Sequence, residues 1–302
     1  MTELINEILK LKKEKNAVIL AHSYQNIEID EVADFVGDSL YLSQMAAKTD
    51  ADIIVFAGVY FMAETAKILS PEKKVLLPRL ESGCLMADMI NLEQLREFKA
   101  KHHGLPVVCY INSTAEVKSE CDICCTSSNA VKIVQSLNTK EVLFAPDTYL
   151  GKWVESQLEG VNVITYPGYC PTHLRITLED IAEQKKKYPE ALVLAHPECH
   201  QAVAGLADYV GSTTGIMNFA EKSDKKQFVI ATELGVVERL ERDFKDKEFI
   251  LVSPKAICSN MKWHHLEDIY NSLKYEQYEI NVDEQIAKKA ITCIDRMLEV
   301  SK

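Results

Sequence analysis

The 302-residue chain predicts an α/β protein in which one unit of strands and helices is written three times. Two observations carry that prediction. Short runs rich in β-branched residues recur at 17–22, 106–110 and 191–196, and their last residues, His22, Tyr110 and His196, stand 88 and 86 residues apart. Three cysteines, Cys84, Cys170 and Cys258, recur with offsets of 86 and 88. Landmarks that hold one register through three units mark a repeat rather than a coincidence.

The elements follow in order. Residues 2–14 read as an amphipathic helix, with Glu3, Glu7 and Glu14 set among lysines. The first run of each unit is continuously apolar, as in parallel strands buried on both faces. Seventeen residues after each comes a hydroxyl, Ser39, Ser127 or Thr213, in the position of a helix N-cap. Segments with helical spacing come next, such as 40–48 and 129–137. A second strand-like run lies at 53–56, 141–144 and 227–230, and a third at 75–77, 163–165 and 251–253. Then comes the cysteine, followed by a helix that opens Leu92-Glu93, Leu178-Glu179 or Leu266-Glu267. Each unit thus reads strand, helix, strand, helix, strand, cysteine loop, helix.

Crossovers of this kind are right-handed and build small, open, three-layer Rossmann-like sheets, which bind ligands beyond the carboxyl ends of their strands. The units are expected to cover 1–84, 85–170 and 171–282, with 283–302 packed beside the first to close a ring. They should face one another about a pseudo-threefold axis, with the strand-end residues and the cysteines turned into a shared cavity.

The net charge of −11, with no compensating basic stretch, argues against nucleic acid and anionic membrane as partners. No stretch reaches the roughly 18 apolar residues of a membrane span, and the N-terminus has no apolar signal core. The expected location is the reducing cytoplasm, where nine cysteines are free thiols or metal ligands rather than disulfides. Three thiolates from equivalent loops fit a zinc ion, or three of the four irons of a [4Fe–4S] cluster, and the spacing does not separate the two. Either would leave one coordination position for water or substrate. Cys121-Asp-Ile-Cys124-Cys125 has the look of a redox or metal pair but lacks a second one, and reads as packing near the site. Cys109, Cys199 and Cys293 have no counterparts in the other units and read as structural.

With these landmarks placed, the chain resembles the quinolinate synthase family (the A protein of bacterial and archaeal NAD biosynthesis) over essentially its full length. The matching stretches are Ala21-His-Ser-Tyr-Gln25, Gly37-Asp-Ser39, Gly83-Cys84 with Met86-Ala-Asp88, Tyr110-Ile-Asn112, Cys125-Thr-Ser127, Gly168-Tyr-Cys-Pro-Thr-His173, His196-Pro-Glu-Cys199, Gly211-Ser-Thr213 and Cys258-Ser-Asn-Met261. Ser259 departs from the family pattern, in which many members have proline there. The resemblance implies a triangular three-domain fold around one oxygen-sensitive [4Fe–4S] cluster, held by Cys84, Cys170 and Cys258. It implies a transferase-type dehydrating condensation of iminosuccinate with dihydroxyacetone phosphate to quinolinate, phosphate and two waters. An L-aspartate oxidase or aspartate dehydrogenase would supply the iminosuccinate. Substrate contacts carry over to His22, Ser39, Tyr110, Ile111, Asn112, Ser127, His196, Pro197, Glu198 and Thr213.

Such a reaction needs a Lewis acid, a proton acceptor and donors for several anions. Glu198 is the expected general base and acid, as the carboxylate of the His196-Pro-Glu strand end. Tyr24 and Tyr110 are the expected proton relays, and His22 and His196 donors to carboxylate or phosphate. Ser39, Ser127 and Thr213 would bring helix N-termini to the anions. His173 stands second to these, and Trp263, His264 and His265 read as helix surface or interface. Two other functions fit the same pattern: a hydro-lyase or aldolase-like enzyme using a three-cysteine zinc or iron site on an unrelated substrate, and a non-catalytic iron–sulfur sensor. The sensor would want a partner surface or a basic tail, and the sequence offers neither.

Overall fold

Three parallel sheets of four strands carry the fold. The computed structural model describes residues 2–302. The first unit runs α1 (Thr2–Glu14), β1 (Ala17–His22), β2 (Phe35–Gly37), α2 (Ser39–Lys48), β3 (Ile53–Ala57), α3 (Tyr60–Leu69) and β4 (Lys74–Leu76). The second runs α4 (Leu92–Ala100), β5 (Val107–Tyr110), α5 (Ala115–Lys118), β6 (Ile123–Cys125), α6 (Ala130–Ser136), β7 (Glu141–Ala145), α7 (Thr148–Ser156) and β8 (Asn162–Thr165). The third comprises α8 (Pro171–Leu174), α9 (Leu178–Lys187), β9 (Leu192–Ala195), α10 (Gln201–Ala204), β10 (Tyr209–Val210), α11 (Thr213–Lys222), β11 (Gln227–Ala231), α12 (Leu234–Asp243) and β12 (Glu248–Leu251). Two helices complete the chain, α13 (Leu266–Tyr275) and α14 (Glu284–Val300).

The sheets share one strand order: β2-β1-β3-β4, β6-β5-β7-β8 and β10-β9-β11-β12. Their registers coincide, since Ile53 pairs with Lys74, Glu141 with Asn162 and Gln227 with Glu248. The three repeated Rossmann-like units therefore stand as the sequence predicts. Two details differ. Each sheet has a fourth strand (β2, β6 or β10) of two or three residues, too short to show a period. In the third unit the last strand is Glu248–Leu251, earlier than the expected 251–253. Its ladder starts at a polar residue, as at Lys74 and Asn162, and the apolar Phe249-Ile-Leu251 follows.

The two faces of the first and third sheets are buried against different layers, whereas both faces of the second lie in the central core. In the first sheet Ile19, Ala21, Val55 and Ala57 pack with Ile8 of α1 and Leu266, Ile269 and Leu273 of α13. Val18, Leu20, Ile54 and Phe56, one residue out of phase, join a central core that also takes side chains from the second and third units. Strand alternation thus splits the buried runs of the first and third sheets between an outer layer and a shared centre.

The ring closes by a route the sequence does not suggest. Helix α13 and the segment behind it, expected with the third unit, pack on the first sheet. Leu77 and Tyr278 exchange backbone hydrogen bonds of 2.9 and 3.2 Å, and Ile280 N–H reaches Val75 C=O at 2.8 Å, adding an antiparallel rung to the edge of β4. Helix α14, expected beside the first unit, meets it through α3, but its main neighbours are β6 and α5 of the second. There Cys293 of α14 meets Cys124 of β6, Sγ to Sγ 2.8 Å.

Ile269 has no exposed surface. Ile269→Ala should lower unfolding free energy by about 2–5 kcal/mol in chemical denaturation. A loss under about 1 kcal/mol would mean that α13 does not cover the first sheet as described.

Candidate active site

Each strand end delivers its side chain through a turn that the backbone fixes. His22 closes β1, Tyr110 closes β5, and His196 follows β9 directly. In the first unit the N–H of Tyr24 donates to His22 Nδ1 at 3.1 Å. In the third, Glu198 N–H donates to His196 Nδ1 at 3.3 Å. The same turn therefore presents Tyr24 in one unit and Glu198 in the other. It also fixes both tautomers, because an Nδ1 that accepts leaves Nε2 as the donor. Burial keeps both rings neutral: the His22 pKa is lowered to about 4 and that of His196 to about 3.

These ends open into one cavity lined by all three units, with His22, Tyr24 and Ser39 from the first, Tyr110, Asn112 and Ser127 from the second, and His196, Glu198 and Thr213 from the third. Cys84, Cys170 and Cys258 line it as well. Of the expected contacts, Ile111 and Pro197 are not in the lining. Ile111 is buried beneath it with its N–H on Cys125 C=O at 2.8 Å. Cys109, Cys121, Cys124, Cys125 and Cys199 do not reach the cavity either. His264, which reads as surface in the sequence, is fully buried, with Nε2 3.0 Å from Ser82 Oγ.

The hydroxyls sit one step further along than expected. Asp38 and Ser212 are the N-caps, accepting from Tyr41 and Gly215, so Ser39 and Thr213 are the first helical residues of α2 and α11. Ser127 lies in the turn before α6, whose N-cap position is Asn129. None of the three hydroxyls is therefore spent on capping its helix, and all three face the cavity. Ser127 Oγ lies 3.2 Å from His196 Nε2, and Asn112 Oδ1 is buried without a partner. Arg175, which the repeat does not single out, adds an exposed cation to the lining.

Glu198 is the centre of a buried chain of hydrogen bonds. It accepts from the Tyr110 hydroxyl and lies 2.7 Å from His173 Nδ1. His173 Nε2 lies 2.8 Å from Thr232 Oγ1, which is 3.0 Å from the Tyr24 hydroxyl; Thr213 Oγ1 donates to that hydroxyl at 3.0 Å. With His173 protonated on Nδ1, donors point in one sense from Thr213 through Tyr24, Thr232 and His173 to Glu198. Burial opposes charge on Glu198, but the bonds it accepts from His173 and Tyr110 favour the carboxylate and hold it well below its usual range. Burial and the Glu198 charge push both tyrosines far above 10.0. Nothing in the sequence pattern marks Thr232, and it ranks His173 too low.

The three thiols fit a metal group. None is in a disulfide. Cys170 and Cys258 open the short helical turns 171–174 and 259–262, and Cys84 lies two residues before the cap of 87–89. Backbone N–H groups point back at each sulfur, Ala87 and Met86 at Cys84, His173 at Cys170, Met261 and Asn260 at Cys258. Burial raises all three thiols, Cys84 to about 12, so in this apolar setting a bound cation is what would favour their thiolates. Among the described residues, the compact set with donor atoms within 4.8 Å of one another is Cys170, His173 and Glu198. Both His173 nitrogens in that set are already engaged, to Glu198 and Thr232.

The family described as "Quinolinate synthetase A protein" matches residues 6–299. The chain belongs to that family. It is 53% identical to the quinolinate synthase of Alkaliphilus metalliredigens and 54% identical to that of Dehalococcoides mccartyi (strain CBDB1), covering 99% of both partners in each pair. It is 49% identical to the quinolinate synthase of Caldicellulosiruptor saccharolyticus over 98% of this chain and 97% of the relative. As a member of the quinolinate synthase A family it is an enzyme of NAD biosynthesis. Among the described residues no helix is long and apolar enough to cross a membrane.

His22 gives the site a pH signature. Its folded pKa, about 4, lies below the unfolded 6.5. The stability it contributes is therefore complete above pH 6.5 and lost as pH falls toward about 4. In urea unfolding between those values, His22→Asn should flatten the pH slope by up to about 1.4 kcal/mol per unit relative to the parent protein. An unchanged slope would mean that His22 is protonated in the fold.

Proposed function

We propose that the chain is a quinolinate synthase that condenses iminosuccinate with dihydroxyacetone phosphate, releasing phosphate and two waters, with a [4Fe–4S] cluster on Cys84, Cys170 and Cys258. The observation that carries this is the convergence of three equivalent cysteine loops, one per unit, on the cavity that holds Glu198 and both tyrosines. The three thiols do not together make a set packed within 4.8 Å, although Cys170 belongs to one with His173 and Glu198, whereas the ligands of one zinc would stand about 3.8 Å apart. That wider placement favours a cluster over a single ion. When bound, such a cluster supplies a Lewis acid at the iron that has no protein ligand. The supplier of the first substrate would be an L-aspartate oxidase or aspartate dehydrogenase.

The chain's own groups do the rest. Ser39 and Thr213 offer hydroxyls at helix starts, and Ser127 one in the turn before α6, to the carboxylates and phosphate. His22 and His196 add neutral Nε2–H donors, and the orphaned Asn112 Oδ1 accepts from a substrate hydroxyl or imine. Glu198 Oε1 takes the proton as it is abstracted, beside the Tyr110 hydroxyl. The Tyr24 hydroxyl, held between Thr213 and Thr232, returns one to a departing oxygen. The central core closes behind the cavity, so these donors need not compete with bulk water.

Anaerobic purification with iron and sulfide analysis tests the cluster. About four of each per chain is the expected result, lost in Cys84→Ala, Cys170→Ala or Cys258→Ala and retained in Cys124→Ala; one zinc without sulfide would point instead to the compact Cys170, His173 and Glu198 set. Quinolinate should form from the two substrates. Glu198→Gln should keep the cluster and lose turnover. Thr232→Val should lower kcat by about tenfold to a hundredfold, since it strands two buried partners. Normal turnover in either variant would remove that residue from the reaction.

A further inference from the structure

A buried guanidinium sits behind the cavity, outside everything assigned above. Arg239, on α12, keeps 1% of its surface exposed. Its Nη1 donates to Ser23 C=O at 2.7 Å, Gln25 C=O at 3.1 Å and Gly235 C=O at 3.1 Å. Its Nη2 pairs with Asp30, itself shared with Arg242. The first two carbonyls flank Tyr24, so a side chain from the third unit grips the first unit's loop on both sides of that residue. The approach is close: a Cβ on Gly235 would lie 2.5 Å from Ser23 O and 2.9 Å from Tyr24 Cα. Burying a guanidinium is costly unless its donors are met; here Nη1 serves carbonyls and Nη2 a carboxylate, while the buried Nε has no partner.

We propose that Arg239 is a positioning residue for the reaction, acting through Tyr24. The clamp sets the backbone on either side of Tyr24, and Thr213 and Thr232 then fix the hydroxyl at 3.0 Å each. A tyrosine that must hand over a proton at one atom loses efficiency when its loop shifts by a fraction of an ångström. The proposal rests on the assignment of Tyr24 to the reaction.

A double-mutant cycle on the cluster-loaded enzyme tests it, with quinolinate turnover and iron content measured for Arg239→Gln, Tyr24→Phe and the pair. With Tyr24 in place, Arg239→Gln should lower kcat about tenfold, with KM and iron content within about twofold. In the Tyr24→Phe background the same change should cost under about twofold. Arg239→Lys, which can reach one carbonyl, should fall between, and carries the cycle if Arg239→Gln does not fold. Arg242→Ala, which touches Asp30 but neither carbonyl, should turn over normally. Equal losses in both backgrounds would overturn the clamp, because a purely structural role does not depend on residue 24. No loss in Tyr24→Phe alone would overturn the Tyr24 assignment, and the clamp with it.

Discussion

One backbone hydrogen bond, made three times, is what the site depends on. The N–H of the first residue of α3 donates to Ser82 C=O at 2.8 Å, that of α7 to Gly168 C=O at 2.8 Å, and that of α12 to Ala256 C=O at 2.9 Å. Each acceptor lies two residues before its cysteine. A helix N-terminus has N–H groups without helical partners, and in every unit the first of them is spent on the cysteine loop. The bond is worth only about 0.5–1.5 kcal/mol in net stability, but its effect is geometric. It ties each cysteine to the end of β3, β7 or β11, so three parallel sheets in one register bring three sulfurs to one cavity. Gly168 shows how tight the fit is, since a Cβ there would stand 2.6 Å from Pro146 O.

From that latch the units diverge at the next position. Val59, Asp147 and Glu233 occupy the same place before α3, α7 and α12. Glu233 Oε1 accepts from Cys258 N–H at 3.1 Å while Oε2 accepts from Gly235 at 2.6 Å, giving the third cysteine loop a second tether. Val59 gives the first loop none, and Ser82 instead bonds Gly58 C=O and His264. Helix α12 thus joins the two halves of the chemistry. Its start holds a cysteine loop, its next turn grips the loop carrying Tyr24, and Thr232 just before it bonds both Tyr24 and His173.

What is legible in the sequence follows from what repeats. The long strands show because burial on both faces demands unbroken apolar runs, and the three cysteines show because each unit places one in the same loop. Edge strands such as Tyr209–Val210 carry too few residues for any period. The ring closure by α13 depends on Leu266, Ile269 and Leu273 meeting Ile19 and Val55 from the far end of the chain, which no local pattern encodes. Thr232 is hidden for the opposite reason. Its counterparts are Gly58 and Pro146, so reading by equivalence passes over it, and His173 likewise stands against Ala87 and Met261.

Equivalence and difference therefore divide the work. Threefold repetition can supply a symmetric cage, but proton transfer needs an acid and a base that are unlike, placed on different sides of one substrate. The turn after the first strand shows how a repeat meets that need. The same N–H to Nδ1 bond that fixes His22 and His196 sets the residue two places on, and that residue is Tyr24 in one unit and Glu198 in the other. The backbone keeps the geometry common while the side chain changes from a group whose proton is held far above neutrality to one that is ionised. His173 and Thr232, present in the third unit alone, then wire the two together across the unit boundary. In the proposed reaction, the asymmetry between acid and base is thus carried by a few substitutions on a repeated scaffold that brings them together.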